Sequence, residues 1–352
     1  MLRTDSLFQV LTFSALLSLI ACGGGGDSSP VSGDQFPSRA AKYNSATDFY
    51  GPLVVKQGEV FAQADKLPWS GYWLPSNSQY MFQSPDSNGL SPLQKYDEYV
   101  KNAKGQNSNA AQYEHDNLYN PLAGPADGHC DAWSIASLYE NDPTPGSWQK
   151  PHNATLNNVT FTPGDLKALL VDSYEQQSLV KMFGEKYEGP SDDFMDIYPD
   201  QFQKVLEQEL FGKNHPVIID RDPGPDVWNT PIYSADLTMT SDSSDPHIMH
   251  VNALIGTVNA IDEFAFAQNP EWQGDPTLAI FNQIYTYDLY GDLQADGTFQ
   301  VRSGMWTGDS LDDHPDFALT MVPGATAHSS LNTQVQNSIV YEIINRAQQV
   351  SQ

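Results

Sequence analysis

The hydrophobic period of this chain changes from helical to strand-like near Gly212, and that change constrains the fold more than any other feature. Before it, apolar residues recur at helical spacing. Ala132, Trp133, Ile135, Ala136, Leu138 and Tyr139 are apolar nearly all round a helix with Cys130 in its first turn, running to about Glu140, where Asn141-Asp142-Pro143 stops it. A second helix begins at Thr162-Pro163-Gly164-Asp165, with Thr162 as N-cap, Asp165 near the capping-box position, and Leu166, Leu169, Leu170 and Tyr174 as its stripe. A third covers about 199–210 with Phe202, Val205, Leu206 and Leu210 inward, ending at Gly212. Beyond Gly212 the period is that of strands, at 217–220, 232–239, 248–258, 283–290 and 298–301, with Asp296-Gly297 as a hairpin turn between the last two. Helices first and antiparallel strands afterwards predict an α+β fold. A closing amphipathic helix is expected over 329–348 with Leu331, Val335, Ile339 and Ile343 inward. The aromatic, turn-rich stretches 67–75 and 91–97 hold neither period and are expected to wrap across a surface.

The cysteines narrow the chemistry. Residues 1–21 read as a bacterial export signal: Arg3 in a short head, an apolar run from Leu7 to Ile20, then Leu19-Ile20-Ala21 before Cys22. Cleavage before Cys22 and acylation of its sulfur predict a protein anchored by lipid in the bacterial cell envelope; the apolar run is too short for a good transmembrane helix. Residues 22–45, opening with Gly23-Gly24-Gly25-Gly26, form a tether, and 46–352 the folded catalytic region, its core at about 65–320. Cys130 is then the single free thiol of the mature chain, without a disulfide partner. A net charge of −27 makes nucleic acid an unsuitable partner. The chemistry requires no cofactor, and calcium is the cation that scattered carboxylates suit.

A thiol at a helix start feels the unsatisfied amides, which favour thiolate and depress its pKa, and the Cys130 amide is placed to hold a tetrahedral oxyanion. The proton must go to another group. The segment Asp245-Pro246-His247-Ile248-Met249-His250-Val251-Asn252, 120 residues beyond Cys130 if His250 is taken, offers two alternatives. On a strand Asp245 shares a face with His247, and His250 shares the other with Asn252. His314 in Asp312-Asp313-His314 repeats the pattern with less support. No Glu follows His247 in a zinc pattern, so no metal is assigned. Trp69, Trp73, Trp133 and Trp228 are candidate walls of a substrate groove.

Several separated motifs, in order, resemble the transglutaminase elicitor family, whose best-known members are secreted oomycete enzymes: Pro68-Trp69-Ser70-Gly71-Tyr72-Trp73, Ser91-Pro92-Leu93-Gln94-Lys95-Tyr96-Asp97, Gly128-His129-Cys130-Asp131-Ala132-Trp133 and Ile219-Asp220-Arg221-Asp222-Pro223-Gly224-Pro225-Asp226-Val227-Trp228-Asn229-Thr230-Pro231. The resemblance continues through Ser303-Gly304-Met305-Trp306 and His314-Pro315-Asp316-Phe317. It implies a papain-like thiol acyltransferase joining glutamine to lysine side chains of protein substrates. Cys130 matches the nucleophile; Asp245 with His247 matches the family's Asp-x-His pair, while the papain-like spacing to Gly256 favours His250. The disulfides of oomycete members have no counterpart here. Two other readings are a cysteine peptidase or amidase in the same fold, and a non-catalytic surface lipoprotein that binds through its aromatic groove.

Overall fold

The computed structural model describes residues 45–84, 89–124, 126–147, 150–186, 196–222, 224–261 and 279–350. The export signal, Cys22 and all but the last residue of the tether lie outside them. A short helix α1 (Ala46–Tyr50) leads into strands β1 (Val54–Val55) and β2 (Gly58–Gln63). Three helices follow, α2 (Pro92–Lys104), α3 (Ala110–Asn117) and α4 (Cys130–Tyr139). Two small hairpins come next, β3 (Gly146–Ser147) with β4 (Lys150–Pro151) and β5 (Ala154–Leu156) with β6 (Val159–Phe161). Then come α5 (Pro163–Asp172), β7 (Gln176–Gln177), β8 (Val180–Gly184) and α6 (Pro199–Leu206), the last running on into a π-helical turn over 207–211. The long strands are β9 (Val217–Asp220), β10 (Asn229–Ser241), β11 (Ile248–Val258), β12 (Ile280–Leu293), β13 (Phe299–Trp306) and β14 (Phe317–Met321); β15 (His328–Ser329) and α7 (Asn337–Gln348) close the chain.

One nine-stranded sheet runs β1-β13-β12-β11-β10-β9-β14-β8, and every pairing in it is antiparallel. β2 pairs with the later part of β10, whose first residues pair with β9, so one edge of β10 serves two partners. Period 2 explains β11: Met249, Val251, Ala253 and Ile255 are buried, while His250, Asn252 and Leu254 alternate with them toward solvent. The amphipathic α6 lays Phe202, Val205 and Leu206 on the buried face, in one core with Tyr285, Tyr287 and Trp306. A second core joins α2, α4, α5 and α7, and Trp69 and Trp133 are sunk in it.

Four expectations need correction. The order is not helices first, because β1 and β2 precede α2 to α5 and join the later sheet. The segment 91–97 is not a surface wrap: Ser91 caps α2, Gln94 returns the bond to the Ser91 amide, and Leu93, Tyr96, Tyr99 and Val100 give a buried helical stripe. That capping box was legible; tyrosines at helical spacing hid the period. The closing helix starts at Asn337, since His328–Ser329 pair with Gln176–Gln177 and Asn332 is bound by the α3 end of the fold through Ala110 and Glu114. Trp69 and Trp133 are core residues and not groove walls. The Trp133 indole N–H donates to the Trp69 carbonyl at 3.1 Å, and the Trp69 indole to the Glu140 carbonyl at 3.2 Å.

Candidate functional site

The site is assembled where the start of α4 meets the first residues of β10. Gly128 is required for this approach: a Cβ there would stand 2.9 Å from the Pro75 Cα and 3.1 Å from the Leu74 carbonyl oxygen. With that space free, the His129 N–H donates to the Trp73 carbonyl at 2.7 Å, which fixes the turn from which α4 leaves. Cys130 and Ser134 then share one face of the helix, four residues apart. The Ser134 hydroxyl donates to the Asn229 carbonyl at 3.0 Å, tying helix to strand. The Cys130 thiol points to the same residue, receiving the Asn229 side-chain N–H at 3.5 Å and facing the Val227 carbonyl at 3.5 Å.

Across the β9–β10 ladder Asn229 sits opposite Asp220, the last residue of a wholly buried four-residue strand. Asp220 Oδ1 accepts the Trp228 N–H at 2.7 Å and, more weakly, the Asp222 N–H at 3.4 Å. Burial pushes the Asp220 carboxyl up to about 7, against the pull of those two amides.

Burial also decides the state of the thiol. It pushes Cys130 up to about 11, with the Asn229 hydrogen bonds opposing and the Asp131 and Asp220 charges adding. The expected depression at a helix start is therefore reversed. A helix terminus is worth up to about 2 kcal/mol in a favourable geometry, whereas full burial shifts a group by as much as about 3–5 pKa units. At rest Cys130 is a protonated thiol.

Cys130 opens on a groove of about 540 Å³. Val180, Met182, Phe317 and Leu319 supply its apolar lining, and Asp127, Asp131 and Asp226 give it an acidic character that Lys186 partly offsets. Trp73 and Trp228 are half-buried beside this junction and meet edge to face, centroids 5.9 Å apart. Neither lines the Cys130 groove, so the expected tryptophan walls are not found there; Trp228 instead lines a neighbouring hollow with Arg221, Asp222 and Asp313.

The histidines expected as bases lie elsewhere. His250 pairs with Thr240, eleven residues along β10 from Asn229, which at the rise of a strand is roughly 35 Å away. There its ring is held between Asp288, at 2.6 Å, and Asp242, at 2.9 Å, which raise its pKa. His247 bonds the Gly291 carbonyl at 3.0 Å, and Asp245 accepts the His247 amide at 2.9 Å. His314 lies between Asp196 and the Ser310 carbonyl, stacked on Trp306. Among the described residues no histidine lines the groove. His129 faces a separate small cavity with Glu114 and Glu175, its Nε2 3.2 Å from Glu175. Among the described residues no group of three or more His, Cys, Asp or Glu side chains is arranged to hold a metal ion. Asp220 and Asn229 stand in one of the motifs that carry the family resemblance but had no role assigned from the sequence, although a carboxylate closing the apolar run Val217-Ile218-Ile219 was a signal, since a charge is costly to bury without a use.

Residues 124–251, from the turn before Cys130 to β11, match the transglutaminase elicitor family. The fold is similar to the crystal structure of the GP42 transglutaminase from Phytophthora sojae, with a TM-score of 0.59 at 17% sequence identity, over 86% of this chain and 96% of that one. No curated protein matches the chain.

Proposed function

We infer, from the match of residues 124–251 to the transglutaminase elicitor family, that the chain is a protein-glutamine acyltransferase working through Cys130. The observation that carries this is the position of the thiol: it lies at the start of a buried helix, 3.5 Å from the Asn229 side-chain nitrogen, and opens on a groove. The Cys130 sulfur attacks the γ-carboxamide carbon of a glutamine, and the Cys130 amide is aimed where the oxyanion develops. Ammonia leaves and a thioester remains. A lysine amine then attacks the thioester carbon, the C–S bond breaks, and an isopeptide bond is formed. An unprotonated amine is needed for that attack, and its approach as a cation is favoured by Asp127, Asp131 and Asp226 at the groove. The papain-like helix-and-strand arrangement is part of this proposal.

The test is incubation with a glutamine peptide and a primary amine, read by mass spectrometry. A product that has gained the amine and lost ammonia is expected. Conversion of glutamine to glutamate with no amine incorporated would instead assign a hydrolase, and no product at all would leave a binding lipoprotein.

The second part of the proposal is the anchor. The Leu19-Ile20-Ala21-Cys22 sequence supports acylation at Cys22 and retention in the cell envelope. Cys22→Ser is expected to move the protein from the membrane fraction to the soluble one; equal distribution of both forms would remove the anchor.

A further inference from the structure

Acyl transfer at Cys130 requires a destination for the thiol proton, and among the described residues no histidine lines the groove to take it. Apart from Lys186, the groups lining the groove that can exchange a proton with Cys130 are carboxyls. Of those, Asp127 and Asp226 are exposed and Asp131 is half-buried. Asp220 differs from them in kind. It is fully buried and directly opposite Asn229, the residue whose side chain touches the sulfur. Directly opposed residues on antiparallel strands hold their Cβ atoms about 4.5–5.5 Å apart, which brings the carboxyl to the thiol's neighbourhood. Oδ1 is fixed by the Trp228 amide, while Oδ2 is buried with no hydrogen-bond partner among the described residues. The buried side-chain oxygen of Asn229 likewise has no partner among the described residues. A buried carboxyl with one oxygen anchored and the other free is oriented and still able to carry a proton.

We propose that Asp220 is the proton acceptor and donor for Cys130, and that Asn229 orients the thiol toward the substrate. The proposal rests on the acyl-transfer reading of the site. As sulfur bonds the carboxamide carbon, the thiol proton passes to Asp220 Oδ2. The protonated Asp220 returns it to the departing nitrogen as the C–N bond breaks, and ammonia leaves. In the second half the attacking amine loses a proton to Asp220 as its nitrogen bonds the thioester carbon, the C–S bond breaks, and the thiolate recovers that proton. No outside oxidant, reductant or base is needed. The charges acting on Asp220 are those of Asp222, which raises its pKa, and of Lys186, which lowers it; the buried Tyr285 hydroxyl and the Cys130 thiol feel the Asp220 charge in turn.

The test uses an activated ester, p-nitrophenyl acetate, whose acylation of Cys130 needs the proton transfer and no glutamine specificity. The acylation burst is followed over about pH 5 to 9, with Cys130→Ala as the blank. The unmodified protein is expected to inflect near the Asp220 value of about 7. Asp220→Asn keeps an oxygen for the Trp228 amide and loses the exchangeable proton. Its rate is expected to fall by about two to four powers of ten and to lose the inflection, with Asp220→Glu recovering part of both. A wild-type profile without that inflection overturns the proposal even where a variant does not fold, as does an Asp220→Asn rate equal to wild type. If the inflection is found but a glutamine peptide gives no product, the transglutaminase reading falls and the role of Asp220 stands. If amine incorporation proceeds unchanged in Asp220→Asn, the reverse holds.

Discussion

Cys130→Ala is expected to abolish incorporation of a primary amine into a glutamine peptide, while His247→Ala and His250→Ala each leave the rate within a factor of about three. The contrast is large because the groups differ in what they touch. Removing a nucleophile removes the thioester path itself, and removing a true general base costs about two to four powers of ten. His247 and His250 touch Gly291, Asp288 and Asp242 at the far end of the long β10–β11 ladder, so their loss frays a surface and leaves the groove intact. A loss of a hundredfold in either histidine variant, with unchanged thermal unfolding, would return the proton transfer to that strand. The same thiol should resist alkylation at neutral pH. Burial holds it near 11, so its thiolate fraction at pH 7 lies about two powers of ten below that of a free cysteine. Iodoacetamide labelling slower than that of a cysteine peptide, and fast after denaturation, is the expected result. Labelling at or above the peptide's rate would mean that the helix start and not burial controls the thiol.

Trp133→Ala is expected to destabilise the fold by about 3–5 kcal/mol, the range for deleting a large buried aromatic. Trp133 is 1% exposed and its indole N–H is satisfied by the Trp69 carbonyl, so the change leaves both a cavity and an unpaired buried acceptor. The two indoles close on Gly71 from both sides: a Cβ there would meet Trp133 Cδ1 and Trp69 Cζ3, each at 2.8 Å. This packing lies under α4 and fixes where Cys130 is presented. The fall should appear in the urea midpoint with little change in slope. A loss under about 1 kcal/mol, with a raised KM for the acyl donor, would place Trp133 in the groove after all.

The relation between the four tryptophans shows how far residue type reaches. All four sit in motifs that read as a groove, and the sequence does not separate Trp69 and Trp133, which are sunk in the core, from Trp73 and Trp228, which are half-buried and meet edge to face outside the groove lining. Burial of an aromatic depends on what packs over it, and α2 and α5 come from other parts of the chain. The capping box at Ser91 and Gln94, by contrast, was present in the sequence and would have located α2, because a cap is a local hydrogen-bond pattern.

What the sequence determined by itself is what local chemistry controls. The Thr162-Pro163-Gly164-Asp165 cap begins α5, the alternation of Met249, Val251, Ala253 and Ile255 defines β11, Asp296-Gly297 turns β12 into β13, and Cys130 starts α4. The resemblance to the transglutaminase elicitor family was legible for the same reason, since ordered motifs survive without any knowledge of the sheet, and residues 124–251 match that family's model. Only the tertiary structure decided which residue meets the thiol. Cys130 and Asn229 are 99 positions apart, and their contact depends on α4 docking at one end of a thirteen-residue strand. Docking at the other end would have brought His250 near instead. The state of the thiol was likewise beyond local rules: the helix start favours a charge, the surrounding fold withdraws water from it, and the loss of water outweighs the pull of the helix.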